Sequence, residues 1–228
     1  MNYSYASSIN FGNNKGYDYF LHNPLNQSFC LSDGANSAVF SNFASRLACN
    51  ELTKINTSSI KDVTDSYSQL DKLLIEKHPG TACTSAHIKL FDKTVMASYC
   101  GDTLIEVYQF KNKSFFSFGA NKWSRIWENP LDELDDHSGP SQLLGCNAFI
   151  KAHVQILDAT CPLIILISTD GLHRYTSPVE RLYQISQIRS DKPSENDLLF
   201  ICETLSHAAL SAGSSDDISI ASIWFSPI

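Results

Sequence analysis

Charge is sparse in this sequence: Asp, Glu, Lys and Arg make up 18% of its 228 residues, with 17 Lys and Arg against 24 Asp and Glu. The resulting formal net charge of -7 argues against a protein that grips nucleic acid through its phosphate backbone. No apolar run approaches the roughly 18 consecutive residues that a membrane span needs. No membrane role is therefore expected. The opening, MNYSYASSINFGNNKGYDYF, has no cationic segment leading into an apolar one, so a cytoplasmic location is the expectation. The seven cysteines (Cys30, Cys49, Cys83, Cys100, Cys146, Cys161 and Cys202) are odd in number and include no C-x-x-C pair. They read as buried thiols in a reducing compartment rather than zinc ligands or a disulfide frame. Glycine and proline are few, 10 and 8, and nowhere gather into a linker, and no repeat or low-complexity tract divides the chain. A single domain over residues 1–228 is expected, long enough to bury a full core.

What is present is a strand-rich pattern broken by helical pairs. GYDYFLH and SFCLSD read as a hairpin, and residues 35–55 follow with Val39, Phe43 and Leu47 at helical spacing. A second helix is predicted over IKDVTDSYSQLDKLLIEKH. The segments ACTSAHIKLFD, TVMASYCGD, LIEVYQFKN and SFFSFGAN carry the β-branched and aromatic content of antiparallel strands. From Trp123 to Leu144, with Pro130 and Pro140, the chain reads as a loop-rich excursion. Ser177, Pro178 and Glu180 then supply an N-cap, an N1 proline and a capping-box acid for a helix, and another runs over residues 194–213 to Gly213. DDISIASIWF closes as a strand with Ile218 and Ile220 on one face. Strands in two batches separated by helical pairs predict an α+β fold, an antiparallel β-sandwich of two sheets flanked on both sides by helices.

The run Leu163-Ile164-Ile165-Leu166-Ile167 stops at Asp170-Gly171, although the helix that follows has its own cap at Ser177. The same grammar recurs where SFCLSDG ends on Asp33-Gly34, in reverse where Asp216-Asp217 open a strand, and at Asp18 among aromatics. Asp-Gly is also a common turn dipeptide. A carboxylate beside a buried strand, however, stays ionised only with donors or a cation nearby. Several converging would take a hard divalent ion, Mg²⁺ or Mn²⁺, since the donors are oxygens and no His or Cys stands at ligand spacing.

In order along the chain, GYDYFL, SDGANS, GTACTSAHIKL, SYCGDTLIEVYQF, QLLGC, LISTDGLHRY and SSDDISIASIWF resemble the motifs of the metal-dependent Ser/Thr phosphatases, the protein phosphatase 2C family, in a short bacterial form. The resemblance implies a β-sandwich flanked by helical pairs, and a cytoplasmic enzyme that removes phosphate from phosphoserine and phosphothreonine on proteins and opposes a kinase in bacterial signalling. It implies that Asp33 bridges two Mg²⁺ or Mn²⁺ ions, the Gly34 carbonyl holds one, Asp170 and Asp216 hold the other, and Asp18 steadies metal-bound waters. Asp102 with Asp170 would take a third, looser ion. The chemistry implied is attack on phosphorus by water activated between ions about 3.5–4 Å apart, without a phosphoenzyme.

Some positions depart from the family pattern. Asn13 stands where members often carry an arginine for the substrate phosphate, leaving Lys15 as the nearest cation, and Gly16-Tyr17 and Ala35-Asn36-Ser37 replace more usual residues. These departures feed an alternative, a pseudophosphatase acting as a regulatory or phosphoprotein-binding module. A third reading, strand-ending aspartates without chemistry, would scatter Asp33, Asp170 and Asp216. Trp123, Trp127 and the acidic run from Asp132 to Asp136 could face a substrate, the commoner roles being packed tryptophans and a solvated acidic face. His137 and His173 could act as general acids, the commoner role being surface histidine.

Overall fold

The computed structural model describes residues 2–12, 16–111, 123–133 and 139–227. Lys15, Asn13, His137, the acidic residues Asp135 and Asp136 and the strand predicted at SFFSFGAN lie outside these residues. The elements in order are β1 (Asn2–Asn10), β2 (Tyr19–Asn23), β3 (Ser28–Gly34), α1 (Ser41–Leu52), α2 (Ile60–Lys77), β4 (Cys83–Leu90), β5 (Thr94–Cys100) and β6 (Leu104–Phe110). They continue with β7 (Trp123–Glu128), β8 (His153–Asp158), β9 (Leu163–Ser168), α3 (Asp170–His173), α4 (Pro178–Ser186), α5 (Glu195–Ser211) and β10 (Ile218–Ser226). Two five-stranded sheets form, in the orders β1-β10-β9-β6-β7 and β2-β3-β4-β5-β8. Every neighbouring pair is antiparallel.

The period-two alternation of strand side chains explains the layering. Leu163, Ile165 and Ile167 of β9 meet Phe29, Ile88 and Ala97 of the other sheet in the core between the sheets. Ile164 and Leu166 point the other way, onto Leu198, Ile201 and Leu205 of α5 and Ile185 of α4. The strand is thus buried on both faces, which is why its sequence is continuously apolar. A third cluster joins Cys30 and Met96 to Val63, Tyr67 and Leu74 of α2 and to Ala44, Ala48 and Leu52 of α1. The predicted α+β sandwich with helices on both outer faces is the fold observed.

Local signals place the helices as expected at several ends. The Ser177 hydroxyl accepts from the Glu180 N–H at 3.2 Å, and Pro178 opens α4. Ser194 and Asp197 form a complete capping box on α5. Three expectations need correction. The stripe Val39, Phe43, Leu47 is not the buried face of α1: Val39 precedes the helix, and Val39 and Phe43 are exposed. Small residues, Ser41, Ala44, Ser45, Ala48 and Cys49, face inward and let the helix lie close on β2 and β3. The Ser45 hydroxyl donates to the Tyr17 carbonyl at 2.5 Å and the Cys49 thiol to the Tyr19 carbonyl at 3.2 Å.

The loop expected from Trp123 onward begins instead as edge strand β7. A register shift in its pairing between Val107 and Tyr108 rotates the strand, so Trp123 packs under α4 while Trp127 packs against the inter-sheet core. The two tryptophans are therefore packing residues. The acidic run is not a solvated face in its described part, because Asp132 accepts from Gly101 N–H at 3.3 Å, Gln142 at 2.6 Å and His153 at 3.0 Å.

Glu106 lies on the helix-facing side of β6, fully buried, and is balanced by Arg181 of α4 at 2.7 Å and Arg125 of β7 at 2.7 Å. Arg181 is itself buried and donates to the Thr176 carbonyl at 2.5 Å. Removing one member of such a group leaves a charge uncompensated. Arg181→Ala is expected to cost about 3–5 kcal/mol of unfolding free energy in urea titration; a loss under about 1 kcal/mol would show that Arg125 alone satisfies Glu106.

Candidate active site

The ends of the strands that carry the predicted aspartates meet at one end of the sandwich. Asp33 and Gly34 end β3, and Asp18 immediately precedes β2, whose Tyr19 is in register with Ser32. From the opposite sheet, Asp170 follows β9 and Asp216 and Asp217 precede β10, while Asp102 sits in the turn that crosses from β5, in the sheet of β3, to β6, in the sheet of β9. Close backbone approach fixes this meeting. A Cβ on Gly171 would stand 2.0 Å from the Asp217 carbonyl oxygen, and one on Gly34 would stand 2.7 Å from that of Ser41 and 2.8 Å from that of Tyr17. The glycines after Asp33 and Asp170 are thus demanded by packing, whatever the aspartates do.

Polar contacts stitch the two sheets together here. The Thr169 hydroxyl donates to Asp18 Oδ2 at 3.0 Å, the Tyr17 N–H to Asp217 Oδ2 at 2.8 Å, and the Thr84 and Thr103 hydroxyls lie 2.7 Å apart. Above them opens a cleft of about 400 Å³ lined by Asp33, Asn36, Thr84, Asp102, Asp170, Arg174 and Asp216, among others. Asp33, Asp102, Asp170 and Asp216 therefore share one cavity, and the scattering expected of mere strand ends is absent. Asp18 is buried beneath it.

Crowding dominates the electrostatics. Burial pushes Asp33 well above the usual carboxylate range, and the charges of Asp18, Asp170 and Asp102 push it further. Burial likewise raises Asp18 to about 7, with Asp217 adding to the rise and the Thr169 hydroxyl opposing it. Asp102 is raised to about 7 by burial and Asp170, against the pull of Arg174. Asp170 is raised by burial despite Arg174. Such carboxylates ionise together only if positive charge joins them.

The donor set suits a hard divalent cation: every candidate ligand is an oxygen, and Asp18 Oδ1 and Asp217 Oδ1 are buried without a partner. Among the described residues, no three His, Cys, Asp or Glu side chains form a group that could hold an ion as they stand. Closure is what is missing, not donors. Asp216 is engaged by Asn36, whose Nδ2 lies 3.2 and 3.1 Å from its two oxygens, and Asp170 by Arg174.

Two residues at the site escaped the sequence reading. Asn36 belongs to a departure from the family pattern, and its contact with Asp216, 180 positions away, has no local signature. Arg174 had one: it lies four residues after Asp170, the spacing that places side chains on one helix face. His173 is corrected: it is buried, not a surface histidine, and burial lowers it to about 3, so it is neutral near pH 7 and carries no surplus proton to donate.

The two-sheet sandwich between helical pairs superposes on solved bacterial serine/threonine phosphatases. A bacterial serine phosphatase superposes with a TM-score of 0.76 at 14% identity, covering 100% of this chain and 99% of that one. The serine/threonine phosphatase Stp1 from Staphylococcus aureus gives 0.76 at 15%, covering 99% and 96%, and PstP/Ppp of Mycobacterium tuberculosis 0.75 at 14%, covering 97% of each. At these identities the likeness establishes the fold. No protein-family model matches the sequence, and no curated protein does either.

The raised carboxylates set a pH dependence for the chelator-treated protein. Asp18 binds its proton up to about pH 7 in the native state but only to about 3.8 when unfolded, so the native state holds more protons in that window. Stability should therefore fall as pH rises from about 4 to about 7, with Asp33 and Asp102 contributing in the same sense. Asp18→Asn should flatten this slope and raise the melting temperature at about pH 8 in EDTA; a lower melting temperature there would contradict the crowding.

Proposed function

We propose that this chain is a divalent-metal-dependent phosphatase that hydrolyses phosphoserine and phosphothreonine on proteins, with residues 1–228 acting as one catalytic unit. The observation that carries the reading is the convergence of Asp33, Asp102, Asp170 and Asp216, drawn from both sheets, on one cleft above a buried, incompletely partnered Asp18. In this reading Asp33, the Gly34 carbonyl, Asp170 and Asp216 hold two Mg²⁺ or Mn²⁺ ions. When bound, the metal supplies an activated water as nucleophile and offsets charge on the phosphoryl group.

The chain's own residues supply the rest. Asp33 feels the charges of Asp18, Asp102 and Asp170 together, which suits it to be the shared ligand. Asp18, fixed by Thr169 at 3.0 Å, would orient whatever binds above it and, ionised once positive charge fills the cleft, could accept a proton there. Burial of Asp18 and Asp102 excludes bulk water from the floor. Asn36 and Thr84 place uncharged donors around the cleft, and Lys15 is the cation proposed for the substrate phosphate. An acidic protein accepts a phosphorylated partner only if cations mask this cleft, so metal loading should precede substrate. A cytoplasmic role opposing a Ser/Thr kinase fits this chemistry, and no described helix is long and apolar enough to cross a membrane.

A second reading, a pseudophosphatase that binds phosphoproteins without turnover, draws on the engagement of Asp102 and Asp170 by Arg174. Hydrolysis of p-nitrophenyl phosphate separates the two. With Mn²⁺ the protein should turn over, EDTA should abolish it, and Asp33→Asn or Asp170→Asn should lower kcat by about 100-fold or more. Absence of turnover with Mn²⁺ or Mg²⁺ by a folded protein would favour the binding module.

A further inference from the structure

Arg174 is the C-cap of the single turn α3, and its N–H donates to the Asp170 carbonyl at 3.2 Å, so its position is tied to the aspartate's own backbone. From there the guanidinium reaches three carboxylates. Nη2 lies 3.1 Å from Asp102 Oδ2 and 3.6 Å from Glu133 Oε1, and Nε lies 3.4 Å from Asp170 Oδ2. Asp102 is almost wholly buried, whereas the Arg174 side chain is 29% exposed and lines the cleft. Arginine does not lose its charge in proteins, and its planar fork holds carboxylates in fixed orientations. The space between Asp102 and Asp170, where the family resemblance implies a third and looser ion, therefore contains a permanent cation.

The geometry points to Arg174 as a built-in replacement for that ion: a positioning residue whose guanidinium neutralises the Asp102 and Asp170 arm of the cleft and keeps a third metal out. The inference rests on the two-metal reading above. Two cations cannot share one pair of carboxylates without strong repulsion, and Asp102 has one arginine contact at hydrogen-bond length already. The site then loads the ions assigned to Asp33 and Asp216 and stops. Metal dependence should show one saturation phase, with no further rise at high Mn²⁺. Glu133, near both His173 at 4.0 Å and Arg174, helps hold the guanidinium over the pair.

The test is the stoichiometry of Mn²⁺ binding, read by isothermal titration calorimetry and by electron paramagnetic resonance of free Mn²⁺, on the full chain. Wild type should bind two ions. Arg174→Ala and Arg174→Gln should each gain a third, at least about tenfold weaker than the first two. Arg174→Lys should not, and adding Asp102→Asn to Arg174→Gln should remove the extra site. Melting curves identify the variants that fold, and either neutral variant suffices. The proposal is overturned, with the phosphatase reading intact, if wild type binds a third ion that Asp102→Asn removes, or if a folded neutral variant still binds only two. Wild type that takes up no Mn²⁺ overturns both the proposal and the reading beneath it.

Discussion

Mutual repulsion among buried carboxylates is the constraint around which one end of this molecule is organised. Asp18, Asp33, Asp102 and Asp170 all have pKa values raised by burial, and each is raised further by a neighbouring aspartate. A stable fold does not collect such groups without a counter-charge. The sandwich carries the cost because the strands that deliver them are buried on both faces, and the apolar contacts between the sheets and under both helical layers offset the local strain.

The same constraint explains the small structural choices around the cleft. Gly34 and Gly171 follow two of the aspartates because backbone from another element lies where a Cβ would go. Thr169 spends its hydroxyl on Asp18 and also accepts from the Ser219 N–H at 3.1 Å, linking β9, β10 and the start of β2. Arg174 and Asn36 are the local answer to the charge, each engaging a carboxylate that lines the cleft. They neutralise or orient the rim, whereas Asp18 Oδ1 and Asp217 Oδ1 below remain without partners. The unmet demand is for positive charge at depth.

How much of this the sequence discloses depends on how local the cause is. The buried run of β9, the cap of α4 and the spacing of α2 were legible because each is set by neighbours within a turn or two. Strands β1 and β8 are not marked by pattern: NYSYASSIN and HVQILD lie at sheet edges and are partly exposed, so polar residues dilute their alternation. The buried face of α1 is misread because serine, alanine and cysteine, chosen for closeness, carry less hydropathy than the exposed Val39 and Phe43. At the site, the aspartates could be read from strand ends. Their convergence has no local signature and was legible only through the resemblance of the ordered motifs, since Tyr17 and Asp217, 200 positions apart, are joined only by the fold.

The central claim is that this end of the sandwich is a metal centre. Anomalous diffraction at the manganese edge, from crystals grown with Mn²⁺, tests it without reference to any substrate. The account predicts two anomalous peaks in the cleft, both touching Asp33, one of them also reached by Asp170 and by Asp216 released from Asn36, with Arg174 still on the Asp102 and Asp170 arm. A cleft without a manganese peak, or manganese bound only at the surface elsewhere, would contradict it.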